Sequence, residues 1–298
     1  MISLISQLAF LAAPAVTPVA SPAGAVRQDV VATAVADGRF SQLVGLVQMA
    51  GLDAALDGSL NNQRWTVFAP TDDAFGALPP ALVTELLNDA ELLSKVLTYH
   101  VIAAGVRAGE VVASDSLTTL NAQRIDVTVT SAGVQVDQAN LLDNDILCTN
   151  GVIHVIDEVL LPSLIDIIDT ASAAGNFTAL ETALISTGLD AALRTEGPFT
   201  VFAPDDLAFS TLPAGLLTRL LIPGNNRVLS KILLFHVVPG RLFAEDVIAA
   251  GQLTTLNGDQ LTVTVVGNDA FVNGVKIVAT DLQTDNGNIH IIENVLIP

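Results

Sequence analysis

An α+β fold, laid down twice along one chain, is what this sequence predicts, and three observations predict it. Long segments recur at an offset near 136 residues, each copy opens with apolar residues at helical spacing, and each closes with apolar residues in alternation. The recurrence is the strongest of the three. TVFAPTDDAF at 66–75 returns as TVFAPDDLAF at 200–209 with eight of ten residues identical. NGVIHVIDEVLLP at 150–162 returns as NGNIHIIENVLIP at 286–298 with eight of thirteen identical. GLDAAL at 51–56 returns at 188–193. The offset drifts only through polar, Gly/Pro/Asn-rich stretches, SLNNQRW before the first motif and LIPGNNR at 221–227, where surface loops tolerate length changes. A period this long means two whole domains, expected at 26–162 and 163–298.

Taken in order, the elements of the two copies agree. Phe40, Leu43, Val44 and Val47 fall at i, i+3, i+4 and i+7 and predict an amphipathic helix; Phe177, Leu180 and Leu184 repeat it. Pro79-Pro80 and Pro213 stand just ahead of LVTELL and LLTRLL, which suits helices with proline in the first turn. Leu92, Leu93, Val96 and Leu97 predict a helix running up to His100. The period then changes to two: Ile125, Val127 and Val129 alternate with Asp126, Thr128 and Thr130, as Leu261, Val263 and Val265 alternate with Thr262 and Thr264. VIHVIDEVLL is apolar on both faces and predicts a central, covered strand. Helices first and strands later predict an antiparallel sheet. The closing strand ends at Pro162 and a new stripe begins near Leu164, which predicts a fixed or narrowly hinged pair rather than a tethered one.

Composition narrows the function. Across 298 residues, 31 acidic groups face 12 basic ones, a formal net charge of -19. Such a chain cannot neutralise a phosphate backbone, which excludes nucleic acid as a partner, and it has no general attraction to anionic membranes. The single cysteine, Cys148, allows neither an intrachain disulfide nor a cysteine-rich zinc site, and with nothing basic beside it in sequence it is expected to be inert. Residues 8–16, LAFLAAPAV, lead to Ala23-Gly24-Ala25, a small-residue cleavage pattern, so 1–25 is read as a signal peptide although no basic residue precedes Arg27. That stretch is too short and proline-broken to span a bilayer, and no hydrophobic tail closes the sequence, so no transmembrane anchor is expected.

Three motifs, in order and twice over, carry a family resemblance. They are the TVFAP[TD]DxAF segments, the pairs Tyr99-His100 and Phe235-His236 each followed by valine, and the closing NGxIHxI segments. Together they resemble the fasciclin domain over all but about the first 25 residues. The resemblance implies a wedge-shaped β-sandwich flanked by helices, in extracellular or envelope-associated proteins that mediate adhesion and do not act mainly as enzymes.

It also implies two partner-binding stretches. One is the aromatic–histidine pair, Tyr99-His100 and Phe235-His236, against which stands plain core packing. The other is Asp145-Ile146-Leu147, similar to an adhesion motif just ahead of the NGxIH segment; its counterpart Asp281-Leu282 keeps the aspartate and one apolar neighbour. The competing role for the aspartate is capping a turn, with the apolar residue filling a sheet edge. Asn150-Gly151 and Asn286-Gly287 have the composition of tight hairpin connections. The four histidines, His100, His154, His236 and His290, show no metal-ligand spacing and are expected to bond to backbone. Ser94-Lys95 and Ser230-Lys231 point about 100° apart on a helix and form no catalytic dyad.

The expectation is a non-catalytic secreted, cell-surface or periplasmic protein, without cofactor, that binds a surface or matrix protein or glycan. A carrier of a lipophilic ligand such as a carotenoid or lipid is the alternative, weakened by an aromatic content of only 4%.

Overall fold

The computed structural model describes residues 27–58, 63–131, 133–195 and 197–298; the segment read as a signal peptide, and part of the SLNNQRW loop, lie outside these. The chain divides into two compact units between Pro162 and Ser163.

In the first unit the order is α1 (Val30–Asp37), α2 (Ser41–Met49), α3 (Asp53–Leu56), β1 (Trp65–Pro70), α4 (Asp72–Gly76), α5 (Pro80–Asn88), α6 (Ala90–Tyr99), β2 (Val101–Ile102) and α7 (Ala108–Val112). Five strands follow: β3 (Ser116–Thr118), β4 (Arg124–Thr130), β5 (Gly133–Val136), β6 (Ala139–Leu147) and β7 (Gly151–Ile156). The second unit repeats this with α8 (Ile167–Ala174), α9 (Thr178–Thr187), α10 (Leu189–Leu193), β8 (Phe199–Pro204), α11 (Asp206–Ser210), α12 (Leu216–Leu220), α13 (Asn226–Phe235), β9 (Val237–Pro239) and α14 (Ala244–Ala250). Its closing strands are β10 (Gln252–Thr254), β11 (Gln260–Val266), β12 (Asp269–Val272), β13 (Val275–Thr284) and β14 (Gly287–Ile292).

The motif residues explain where helices begin. Thr71 Oγ1 accepts from Ala74 N at 3.2 Å, and its counterpart Asp205 accepts from Ala208 N at 2.8 Å, so the variable position of TVFAP[TD] caps α4 or α11. The next aspartate caps a different helix. Asp72 accepts from Gln42 N at 2.8 Å, and Asp206 from Ala179 N at 2.9 Å, which fastens the starts of α2 and α9 to the end of the first long strand. Pro80 sits in the first turn of α5, as expected.

Each unit holds one seven-stranded sheet, in the order β2-β1-β7-β6-β5-β4-β3 and, in the second, β9-β8-β14-β13-β12-β11-β10. The closing strand is central, and all six residues of β7 are buried. The sheet is not wholly antiparallel. β7 runs parallel to β1, with Val67 opposite Ile153 and Phe68 opposite His154, and β14 runs parallel to β8. The whole strand-rich second half intervenes between those two strands, and this crossover makes their parallel pairing possible.

Both faces of this central pair are covered. One packs under the helices with Phe40, Leu43, Leu93, Leu97, Ala69 and Ile153; the other meets Ile125, Val136, Tyr99 and Leu160, where β4 and β5 fold across it. The result is a two-layered sandwich with helices on one side, and the second unit repeats both cores. Phe40 and Phe177, wholly buried at the entry of α2 and α9, each contribute about 2–3 kcal/mol by leaving water.

A candidate recognition site at the strand bulge

The sheet bends where β6 bulges. Asp143 pairs with Val155 and Ile146 with Ile153, so Asn144 and Asp145 together face the single residue His154. In the second unit Ala279 pairs with Ile291 and Leu282 with Ile289, leaving Asp281 in the same place before His290. Two residues against one forces the extra residue off the ladder. Asp145 takes the left-handed region at φ 56°, and Asp281 at φ 62°, a conformation aspartate tolerates better than most residues.

The aspartate then serves the loop above it. Asp145 Oδ1 accepts from Ala108 N, the first residue of α7, at 3.0 Å; Asp281 Oδ1 accepts from Ala244 N at 2.9 Å. His154 completes the clamp. Its Nδ1 accepts from Asp145 N at 3.3 Å, and its Nε2 donates to the Val106 carbonyl at 2.9 Å. His290 makes the same pair of bonds with Asp281 N and the Leu242 carbonyl. Burial pushes both imidazoles below the ordinary histidine range, so they stand neutral beside their aspartates. Each ring also lies tilted against the phenylalanine of the neighbouring strand, Phe68 or Phe202, at about 5.5 Å between centroids.

The other histidines are pins of a second kind. His100 Nδ1 donates to the Val96 carbonyl at 2.7 Å while its Nε2 accepts from Leu160 N at 2.9 Å; His236 does the same with Ile232 and Leu296. Burial lowers both to about 4. Tyr99, His100, Phe235 and His236 are only 4, 1, 2 and 2% exposed. All four lie inside the closed domain, the core packing set against a partner role above, because the end of α6 or α13 turns inward to meet the segment after the last strand. Among the bulge residues, Ile146 and Leu147 are half-buried, and Ile146 packs on the helical core. Leu282 is 38% exposed. The structure thus brings Asp145 together with His154, and keeps both apart from the Tyr99-His100 pair.

Two functional positions of the framework went unread in the sequence. Thr66 Oγ1 donates to the Ala104 carbonyl and accepts from Val106 N, both at 2.7 Å, and Thr200 repeats this with Gly240 and Leu242. Asn150 brackets two helices: its Oδ1 accepts from Val30 N at 2.9 Å and its Nδ2 donates to the Leu56 carbonyl at 2.7 Å. Asn286 does likewise with Ile167 and Leu193. Recurrence of both residues in both copies was the available signal. The reading of Asn150-Gly151 and Asn286-Gly287 as hairpin connections holds for the asparagines, which lie between β6 and β7 and between β13 and β14. Gly151 and Gly287 are the first residues of β7 and β14, and a side chain there would strike the Trp65 or Phe199 carbonyl. Glycine is required for the close approach of two strands.

Cys148 is buried, and burial raises its thiol pKa. Lys95 pairs with Glu91 at 3.0 Å and Lys231 with Asp259 at 3.2 Å. Among the described residues no group of three or more His, Cys, Asp or Glu is placed to hold a metal ion, and no helix is long and apolar enough to cross a membrane.

Comparison with known proteins decides the family: the fasciclin domain profile matches residues 38–162 and again 175–298. The chain belongs to the fasciclin domain family. It is 32% identical over 239 residues to the transforming growth factor-beta-induced protein ig-h3 of Sus scrofa, covering 78% of this chain and 35% of that one. Periostin of Homo sapiens is 30% identical over 245 residues, covering 78% of this chain and 28% of its own. Protein sll1483 of Synechocystis is 39% identical over 144 residues, which is 48% of this chain and 79% of that protein. The chain thus spans about a third of the length of ig-h3. A solved fasciclin domain pair from the insect cell adhesion molecule fasciclin I covers 88% of this chain and 98% of its own at 17% identity, with a TM-score of 0.43. The fold is two tandem fasciclin domains.

Proposed function

We propose that this chain is a non-catalytic secreted, cell-surface or periplasmic protein that holds surface or matrix components through its two fasciclin domains. Family membership supports the reading. One observation carries it further. The groups best suited to chemistry, four histidines repeated in pairs, each spend both ring nitrogens on backbone of their own domain. What the bulge offers a partner is position. Asp145 and Asp281 fix the backbone so that an apolar residue just beyond each, half-buried Leu147 in the first domain and Leu282, one register position earlier, in the second, is presented without ordering cost.

The lipophilic-carrier alternative has less support. Two apolar hollows in the second domain hold about 10 and 40 Å³, and a mostly apolar hollow between α2, α4 and α5 of the first holds about 270 Å³, all below the roughly 300 Å³ of the smallest drug-sized sites.

The test is retention of envelope or matrix fractions from the source organism on immobilised protein. Leu147→Ser combined with Leu282→Ser should lower retention at least fivefold while the melting temperature moves by less than about 3 °C. Undiminished retention by this variant would refute the bulge as the recognition site.

A further inference from the structure

Both domains carry a cleft at the same place in the fold, and the two differ in charge. In domain 1 it has a volume of about 660 Å³, between β4, the Asp137-Gln138 turn that joins β5 to β6, α4, and the segment 158–161 that follows β7. In domain 2 the matching walls enclose about 520 Å³. Both lie inside the roughly 300–1,000 Å³ range of small-ligand sites.

Asp126, Asp137 and Glu158 line the first cleft, and none of its lining residues is basic. At the three matching positions domain 2 has Thr262, Asn273 and Asn294. The turn itself does not require the charge of Asp137. Asp137 Oδ1 accepts from Asp126 N at 2.8 Å, and in domain 2 the amide oxygen of Asn273 accepts the same bond from Thr262 N at 2.7 Å. Both turn residues sit at nearly the same left-handed φ, 51° and 48°. An uncharged side chain therefore completes this hairpin equally well. A half-buried carboxylate costs more to desolvate than an amide, and domain 1 keeps one where the turn alone would accept an amide.

That charge is also aimed. The Tyr99 hydroxyl donates to Asp137 Oδ2 at 2.8 Å, where domain 2 has Phe235 and no hydroxyl. Burial and the nearby Asp126 carboxylate raise the Asp137 pKa, the condition a neighbouring cation would relieve. Leu78, Val159 and Leu161 supply apolar wall beside the acids.

We propose that the domain 1 cleft binds an aliphatic cation, an ammonium or guanidinium group on a hydrocarbon stem. The charged head sits among Asp126, Asp137 and Glu158, and the stem lies along Leu78, Val159 and Leu161. The same chemistry reaches the cleft either as a free polyamine or as a basic side chain of a partner protein.

The experiment is calorimetric titration of the full chain with spermidine in about 150 mM salt, which screens exposed charges beyond roughly 8 Å. The variant Tyr99→Phe, Asp126→Thr, Asp137→Asn, Glu158→Asn gives domain 1 the residues of domain 2 at these four positions, so the fold has a working precedent; its melting temperature is measured alongside. A control variant removes three exposed acids outside the cleft, Glu85→Gln, Glu91→Gln and Glu245→Gln, for the same change in net charge. Spermidine affinity should fall at least tenfold in the cleft variant and less than twofold in the control. Competition by a capped Leu-Lys-Leu peptide assigns the site to a partner's side chain, and failure to compete assigns it to the free amine. Spermidine failing to bind the unaltered chain, unchanged affinity in the folded cleft variant, or an equal loss in the control, overturns the proposal. Retention of envelope fractions is read separately, so this site and the bulge stand or fall independently.

Discussion

Replacing Asp145 separates what its side chain does from what its backbone does. The carboxylate accepts the Ala108 N–H, and the residue itself sits at φ 56°. Alanine removes both supports. Stranding a part-buried N–H costs about 1–3 kcal/mol. Forcing a Cβ without a local polar partner into the left-handed region adds about 1 kcal/mol. Asp145→Ala should therefore cost domain 1 roughly 2–4 kcal/mol. Glycine relieves the backbone and strands only the N–H, so Asp145→Gly should cost about 1–2 kcal/mol. Asparagine keeps an acceptor and tolerates the backbone, so Asp145→Asn should cost less than about 1 kcal/mol. The assay is urea unfolding of the full chain, with the transition of domain 1 assigned from the parallel series at Asp281, which should move the other transition. Constant slope against denaturant confirms that midpoints report stability. The order Asn, Gly, Ala is the signature. Alanine no worse than asparagine would refute the capping argument, and glycine as costly as alanine would refute the backbone part.

Three further outcomes are expected. His100 and His236 hold at about 4 when folded and near 6.5 when unfolded, so the unfolded chain binds more protons between those values. Stability should be full above pH 6.5, fall by about 2 kcal/mol per domain by pH 5, and stop falling on this account below pH 4; equal melting temperatures at pH 7 and pH 5 would contradict it. Gly151→Ala should cost domain 1 about 3 kcal/mol or more by driving β7 off β1, and Gly287→Ala should do the same to domain 2, each read as the early loss of one calorimetric transition. The buried Cys148 thiol should react with a disulfide reagent at neutral pH only as fast as the domain opens, so labelling that matches the rate of a free thiol would count against this placement.

Much of the architecture was legible because the repeat doubles every signal. The spacing of Leu92, Leu93, Val96 and Leu97 gave α6, and the two-faced VIHVI segment marked β7 as central. The parallel partner of β7 was not legible, since periodicity describes a strand's faces and says nothing of which strand lies beside it. The site was harder. Asp145 resembled an adhesion residue, yet its left-handed backbone and its bond to Ala108 depend on a bulge that no local pattern announces. Tyr99 and His100 sit at the end of an amphipathic helix, where sequence alone cannot tell an inward last turn from an outward one. Thr66 and Asn150 bond across 38 to 120 residues of sequence, and such partners exist only once the chain has folded.

The pairing of β1 with β7 also sets when a domain can be finished. Leu160 N bonds to His100 across 60 residues, and Trp65 N bonds to the Asn150 carbonyl. The central layer thus waits for the last segment of the domain to be synthesised, and contacts this distant in sequence slow folding in general. A ribosome-bound chain ending short of residue 151 holds helices and a meander of strands but no middle to its sheet, with the edge of β1 open to other chains. Each domain therefore closes late and from its C-terminal side. Deleting the six residues of either closing strand removes the middle of a sheet, and should cost that domain its fold.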